Sequence, residues 1–163
     1  MKEEQKQCSP VSVEDRAKQA KGRLKIVAVR KDHPQDRKEI VNTQNICVQN
    51  FYGQLCRLLG NDVAGRYISF IQFGTGADPE AITDVALAVP IVPQLPVVVS
   101  YPEAMHVRFA ATLGADEAVG FNIAEAGLFF ETTGLAARTA FGPVAKLNGW
   151  IWYATWEISW GPY

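Results

Sequence analysis

The sequence predicts a mainly β fold, an antiparallel jelly-roll-like sandwich with one α-helix in its N-terminal half and an extended N-terminal arm. Three observations carry that expectation. The C-terminal half is a succession of short alternating or apolar segments separated by turn residues, only one stretch shows helical spacing, and the chain before Leu24 is almost free of large apolar side chains. The expected organisation is an extended charged arm over 1–22, followed by one β-sandwich domain over 23–163 that includes a helix at about 42–59.

Taken in order, the arm is too polar to bury enough surface to order itself. Leu24, Ile26 and Ala28 alternate with Lys25, Val27 and Val29 as a first strand, and the charged run from Arg30 to Lys38, around Pro34, reads as a solvated loop. Between Asn42 and Leu59, Ile46, Val48, Phe51, Tyr52, Leu55, Leu58 and Leu59 recur at helical spacing, with Gly60-Asn61 as a stop signal. RYISFIQF, from Arg66 to Phe73, alternates as a strand. Gly74 and Gly76 then read as a structural turn that needs positive φ, opening a long loop. Pro90, Pro93 and Pro96 make the following stretch an extended connection or an edge, because proline cannot donate to a central ladder.

Val97–Tyr101 and Met105–Leu113 are the next strands, the second placing Met105, Val107, Phe109, Ala111 and Leu113 on one face. Phe121–Phe130, Leu135–Phe141 and Trp150–Trp160 continue the antiparallel series, with Asn148-Gly149 as a hairpin signal before the last. That last strand carries all four tryptophans, Trp150, Trp152, Trp156 and Trp160, on one face. They read as a core aromatic face, with an exposed stacking surface for a ligand as the alternative.

The chain of 163 residues, 48% hydrophobic, is long enough for one real core, and its net charge of -1 gives no pull toward nucleic acid or an anionic membrane. The balance is uneven: residues 1–38 hold 11 Lys/Arg against 6 Asp/Glu, and the remainder 5 against 11. Neither a membrane span nor the apolar segment of a signal peptide is visible, so the expected site of synthesis is the cytoplasm.

No cofactor and no metal are expected. Three cysteines lack knuckle spacing; Cys47 and Cys56, if they share a helix, fall on opposite faces, and Cys8 is a candidate for an intermolecular disulfide or a free thiol. Of the possible bases, His33 sits in the charged loop and His106 on an outer strand face, and HExxH, CxxC, GxSxG and P-loop patterns are missing, so no catalytic residue is assigned. Gly74-Thr75-Gly76 is followed by Asp78, Pro79 and Glu80, carboxylates that would repel a phosphate. Glu117 and Glu125 have the residue type of a glycosidase pair but no defined cleft. A carboxylate inside FNIAEAGLFF must be paired to be tolerated, and Arg138 is the candidate partner of Glu125 in a buried ion pair.

The succession IQFGTG (71–76), DEAVGFNIAEAGLFF (116–130), LAARTAF (135–141), PVAK (143–146) and WYATWEISW (152–160) resembles a family of small tailed-bacteriophage virion structural proteins. It is similar, more loosely, to the modules that attach collar and tail fibres. The resemblance runs from the helix to the C-terminus and leaves residues 1–40 outside it. It implies a jelly-roll-like sandwich assembling as a symmetric oligomer, a trimer, that supplies contacts rather than chemistry within the virion. Implied partners are further copies of the chain and other virion proteins reached through the arm. The implied role is an adaptor or fibre-attachment module of tail, collar or baseplate; a capsid decoration protein clamping capsomers and a host-glycan-binding module are the alternatives.

Overall fold

The computed structural model describes residues 20–60 and 62–160. It is mainly β with one helix. β1 (Lys21–Arg30), β2 (His33–Cys47), α1 (Gln49–Leu59), β3 (Ile68–Gly74), β4 (Leu95–Pro96), β5 (Val98–Ser100), β6 (His106–Leu113), β7 (Asn122–Phe130), β8 (Gly134–Ala145) and β9 (Trp150–Ser159) follow in that order. All pairings are antiparallel, and the spatial order is β4-β3-β7-β8-β2-β1-β9-β6-β5.

The order wraps into two packed layers. The first sheet is β2-β1-β9-β6-β5 and the second β4-β3-β7-β8. The long β2 joins them, pairing with β1 over most of its length and with β8 only at Ile46 and Cys47. At the far side β4 and β5 are separated by Val97 alone, whose N–H donates to the Ser69 carbonyl at 2.9 Å, so one extended segment edges both sheets and nearly closes them. The proline-rich stretch is therefore this seam, with Pro96 at an edge as the missing donor requires. Between the layers Leu24, Ile26, Ile71, Phe73, Leu113, Ile123, Leu128, Trp152, Trp156 and Ile158 form a continuous core.

Four boundaries differ from the sequence reading, each for a physical reason. The helix begins at Gln49, not near Asn42, because the residues up to Cys47 extend β2 with Val41, Asn45 and Cys47 turned inward. Period 2 and period 3.6 both fit this stretch, and the ladders decide: Asn42 to Asn45 pair with β1, and Ile46 and Cys47 with β8. Cys47 thus ends a strand and shares no helix with Cys56.

The charged run is likewise not a loop. The chain turns at Lys31 and Asp32, and His33 to Lys38 run back along β1, exposed throughout; charges on an outer strand discourage unwanted pairing. Lys21 and Gly22, assigned to the arm, belong to β1. Residues 1–19, with Cys8, and Asn61 of the stop signal lie outside the described residues.

Finally, Asn148-Gly149 makes no hairpin between paired strands. Gly149 has the positive φ of 77° that such a turn needs, yet β8 lies beside β7 and β2 while β9 lies beside β1 and β6, so the turn carries the chain from one sheet to the other. A tight dipeptide specifies reversal, not the partner.

Candidate functional site

The densest polar construction among the described residues stands on the outer face of the second sheet. A register irregularity between Ile123 and Glu125 in β7 sets Glu125 there, fully enclosed. Its Oε1 accepts hydrogen bonds from the backbone N–H of Gly76 at 3.0 Å and Val89 at 2.7 Å, and its Oε2 from that of Ala88 at 3.0 Å. From β8 the Arg138 guanidinium reaches Oε2 through Nε and a second nitrogen, each at 2.9 Å. Arg138 also donates to the Asp84 carboxylate at 2.9 Å and to the Asp78 carbonyl at 3.1 Å. The pairing of Glu125 with Arg138 is thus present, at the centre of a network that pins the whole loop over 75–94 onto the sheet.

The energetics explain why the network is so complete. Burying a lone carboxylate is prohibitive, and a buried pair stands only when the remaining lone pairs and protons are also satisfied. Burial disfavours the Arg138 cation, but the hydrogen bonds and charges of Asp84 and Glu125 outweigh it and hold its pKa above the ordinary guanidinium value. A carboxylate this fully engaged has no lone pair left for acid or base work. Its chemistry is spent on positioning.

Gly74 and Gly76 are explained by the same carboxylate. Neither has positive φ, so the expected turn is corrected: a Cβ on either glycine would stand 2.5 Å from Glu125 Oε1. Glycine is needed for close approach, not for a left-handed backbone. Gly127 has the same role deeper under the loop, where a Cβ would press on Phe129, Leu135 and Leu87 at 2.8–2.9 Å. Leu87 enters there to form a small second core with Val48, Phe129 and Leu135. The loop is a third layer.

A second buried ion stands where the chain leaves β8 for β9. Lys146 is fully enclosed, and its Nζ donates to the carbonyls of Gly114 at 2.9 Å, Ala115 at 3.2 Å and Trp150 at 2.6 Å. Burial pushes its pKa below the ordinary lysine value, against the raising effect of Glu117 and Asp116. Sequence reasoning passed over this residue, although a lysine four residues before a tryptophan-rich strand in the other sheet carries a weak signal. Glu117, the other half of the imagined glycosidase pair, accepts from the Gly114 N–H at 2.6 Å and takes no part in the Glu125 network.

The tryptophans occupy the sandwich interior. Trp152 and Trp156 are enclosed, at 2% and 0% exposure, while Trp150 and Trp160 are partly covered at the two ends of β9. Trp152 meets Phe73 edge-on at 6.3 Å between ring centroids, and Trp160 stacks on Phe51 at 6.1 Å. Sugar stacking needs bare ring faces, which the two central tryptophans do not offer.

Two of the depressions among the described residues stand out. A polar cleft of about 760 Å³ is lined by Lys21, Arg23, Asn42, Asn45, His106 and Glu157, among others, with Glu157 held by Arg108 at 2.7 Å. His106 thus sits half-buried at a cleft rim, whereas His33 is exposed on β2. Cys47, also at this cleft, is buried, which pushes its thiol up to about 12 and leaves it unreactive near neutral pH. The second depression, about 280 Å³, is apolar and lies between α1, β3, β5 and β6. No group of three or more His, Cys, Asp or Glu among the described residues is arranged to hold a metal.

Comparison with protein-family models, with curated proteins and with solved structures gives no match.

Proposed function

We propose that this chain is a non-enzymatic structural protein of a virus particle, an adaptor or fibre-attachment module of the tail, collar or baseplate of a tailed bacteriophage, working as a symmetric oligomer. The observation that carries the reading is where the resembling motifs go. FGTG, EAGLFF and LAAR are far apart in sequence, yet Gly74, Gly76, Glu125 and Arg138 meet in one buried cluster. Residues invested in fixing a loop against a sheet suit a part that must present a rigid surface.

The surface itself fits an assembly role. Val85 on the loop over 75–94, and Tyr67, Val98, Tyr101 and Met105 elsewhere on the surface, are large exposed apolar side chains of the kind that contact surfaces use.

Two measurements test the proposal. Light scattering on the purified full chain is expected to give a mass that is a fixed small multiple of the monomer. Quantitative mass spectrometry of purified particles is expected to find on the order of 3–18 copies per particle, the range of closed rings. Several hundred copies would move the protein to the capsid surface as a decoration, and absence from particles would sink both forms of the reading.

A further inference from the structure

The outer face of the first sheet carries no covering loop, and its side chains fall in rows across the strands. Gln44, Arg23, Glu157 and Arg108 form one row, and Asn42, Lys25 and Thr155 the next. Two depressions of about 760 and 150 Å³ adjoin there and share Arg23, Asn42 and Glu157, so they form one polar track along the face.

Within the track one cation is held in place but not used. The Arg23 Nε–H donates to Asn42 Oδ1 at 2.8 Å, and Asn42 Nδ2 donates to Glu39 Oε1 at 2.8 Å. Glu39 is fixed in turn by Lys25 at 2.7 Å, and these two partners, Lys25 first, keep its carboxyl below the ordinary carboxylate range and therefore ionised. The cross-strand neighbour of Arg23 does not serve it, because Arg108 grips the Glu157 carboxylate through Nε at 2.8 Å and a second nitrogen at 2.7 Å. The two terminal nitrogens of Arg23 are left without a hydrogen-bond partner among the described residues.

The charges at this end are Lys21, Arg23, Lys25 and Arg108 against Glu39, Glu157 and, in the turn before His106, Glu103. The acids of the neighbouring loop are engaged elsewhere, Glu80 with the Ala140 N–H and Asp84 with Arg138. One cation remains uncompensated. A guanidinium fixed through Nε offers its terminal nitrogens as a planar fork, which matches a carboxylate in two parallel hydrogen bonds. Around it Gln44, Ser159 and Thr155 supply amide and hydroxyl groups that both donate and accept, and Glu157 accepts. Sugar hydroxyls need that mixture. A phosphodiester chain offers acceptors alone and would meet the Glu39 and Glu157 carboxylates.

We propose that this track binds an acidic polysaccharide, the Arg23 fork taking the carboxylate of a uronic-acid unit and the flanking amides and hydroxyls its ring hydroxyls. The site goes beyond the assembly role and does not rest on it. It also stands apart from Trp152 and Trp156, which the core encloses.

The test is calorimetric titration of the full chain with trigalacturonic acid, with the neutral methyl ester of that trisaccharide and with a short DNA duplex. The acid is expected to bind about ten-fold tighter than the ester or the duplex. Arg23→Lys keeps the charge and loses the fork; with circular dichroism confirming its fold, it is expected to weaken binding of the acid about ten-fold. Lys38→Gln, which removes a cation from the exposed hairpin outside the track, is expected to bind the acid as wild type does. Equal affinity for acid and ester, wild-type affinity in Arg23→Lys, or no heat from the acid overturns the site. Tighter binding of the duplex, or equal weakening by Lys38→Gln, overturns it in favour of a general attraction for polyanions.

Discussion

The two sheets are written in different sequence dialects. β9, in the first sheet, alternates: Trp152, Ala154, Trp156 and Ile158 face the core and Tyr153 faces solvent. β7, in the second, is apolar at every position from Ile123 to Phe130 except Glu125, and all of them are buried. The difference is that the first sheet is covered on one face and the second on both, its outer face lying under the loop over 75–94. A strand buried on both sides must be apolar on both, and its one charge must find a complete set of partners. The exception inside the apolar run is what fastens the cover.

This contrast orders the expected effects of substitution. The largest is Glu125→Ala. It leaves Arg138 buried with Asp84 as its one remaining counter-ion among the described residues and three loop N–H groups unpaired, at a cost of about 3–5 kcal/mol. Chemical denaturation should record that loss, and limited proteolysis should show new cleavage within 77–90. Loss of stability with no cleavage there would break the idea that the carboxylate fastens the cover.

Leu87→Ala removes the apolar anchor of the same cover while leaving its ions in place. About 2–4 kcal/mol is expected, the range of buried leucine truncations. A value near zero would mean that the ion network holds the loop alone. Gly127→Ala comes next, at about 1–3 kcal/mol, because its Cβ must displace Leu87, Leu135 or the Phe129 ring. On the bare face of the first sheet, Tyr153→Ser should shift stability by no more than about 0.5 kcal/mol. Equal costs at Gly127 and Tyr153 would erase the difference between the sheets.

The last expectation is one of pH, and it concerns Lys146. Its folded pKa lies below its unfolded value, so between the two values the unfolded chain binds more protons and stability rises with pH toward the ordinary lysine range. Cys47 acts oppositely: its folded pKa, about 12, exceeds the unfolded value, so its contribution is full below the unfolded value and declines as pH rises toward 12. Comparing Lys146→Met with wild type by urea denaturation across pH 7–10 isolates the lysine. The variant should lack the rise; parallel curves would remove Lys146 as its source.

Much of the candidate site was legible in the chain. A glutamate within an apolar run demands a partner, and the next strand supplies one arginine, Arg138, so the pair could be named from residue chemistry alone. The rest of the network could not. Its donors are the backbone N–H groups of Gly76, Ala88 and Val89, which every residue but proline carries, so no residue type marks them. For the same reason Gly74 and Gly76 were read as turn formers. Glycine serves equally for positive φ and for close approach, and only the position of Glu125 tells the two apart.

By itself the sequence determined the β-rich class, the single helix near Phe51 to Leu59, the inward tryptophan face and the ion pair, because each depends on local periodicity or on the cost of burying a charge. Tertiary structure alone decided which strands became neighbours, that β2 runs unbroken through a charged hairpin, that the Asn148-Gly149 turn crosses between sheets, and that a proline-rich segment closes the seam. Those outcomes depend on which surfaces are left to cover once every strand is in place. A local pattern records how a segment sits on its own axis and carries no address for its partner.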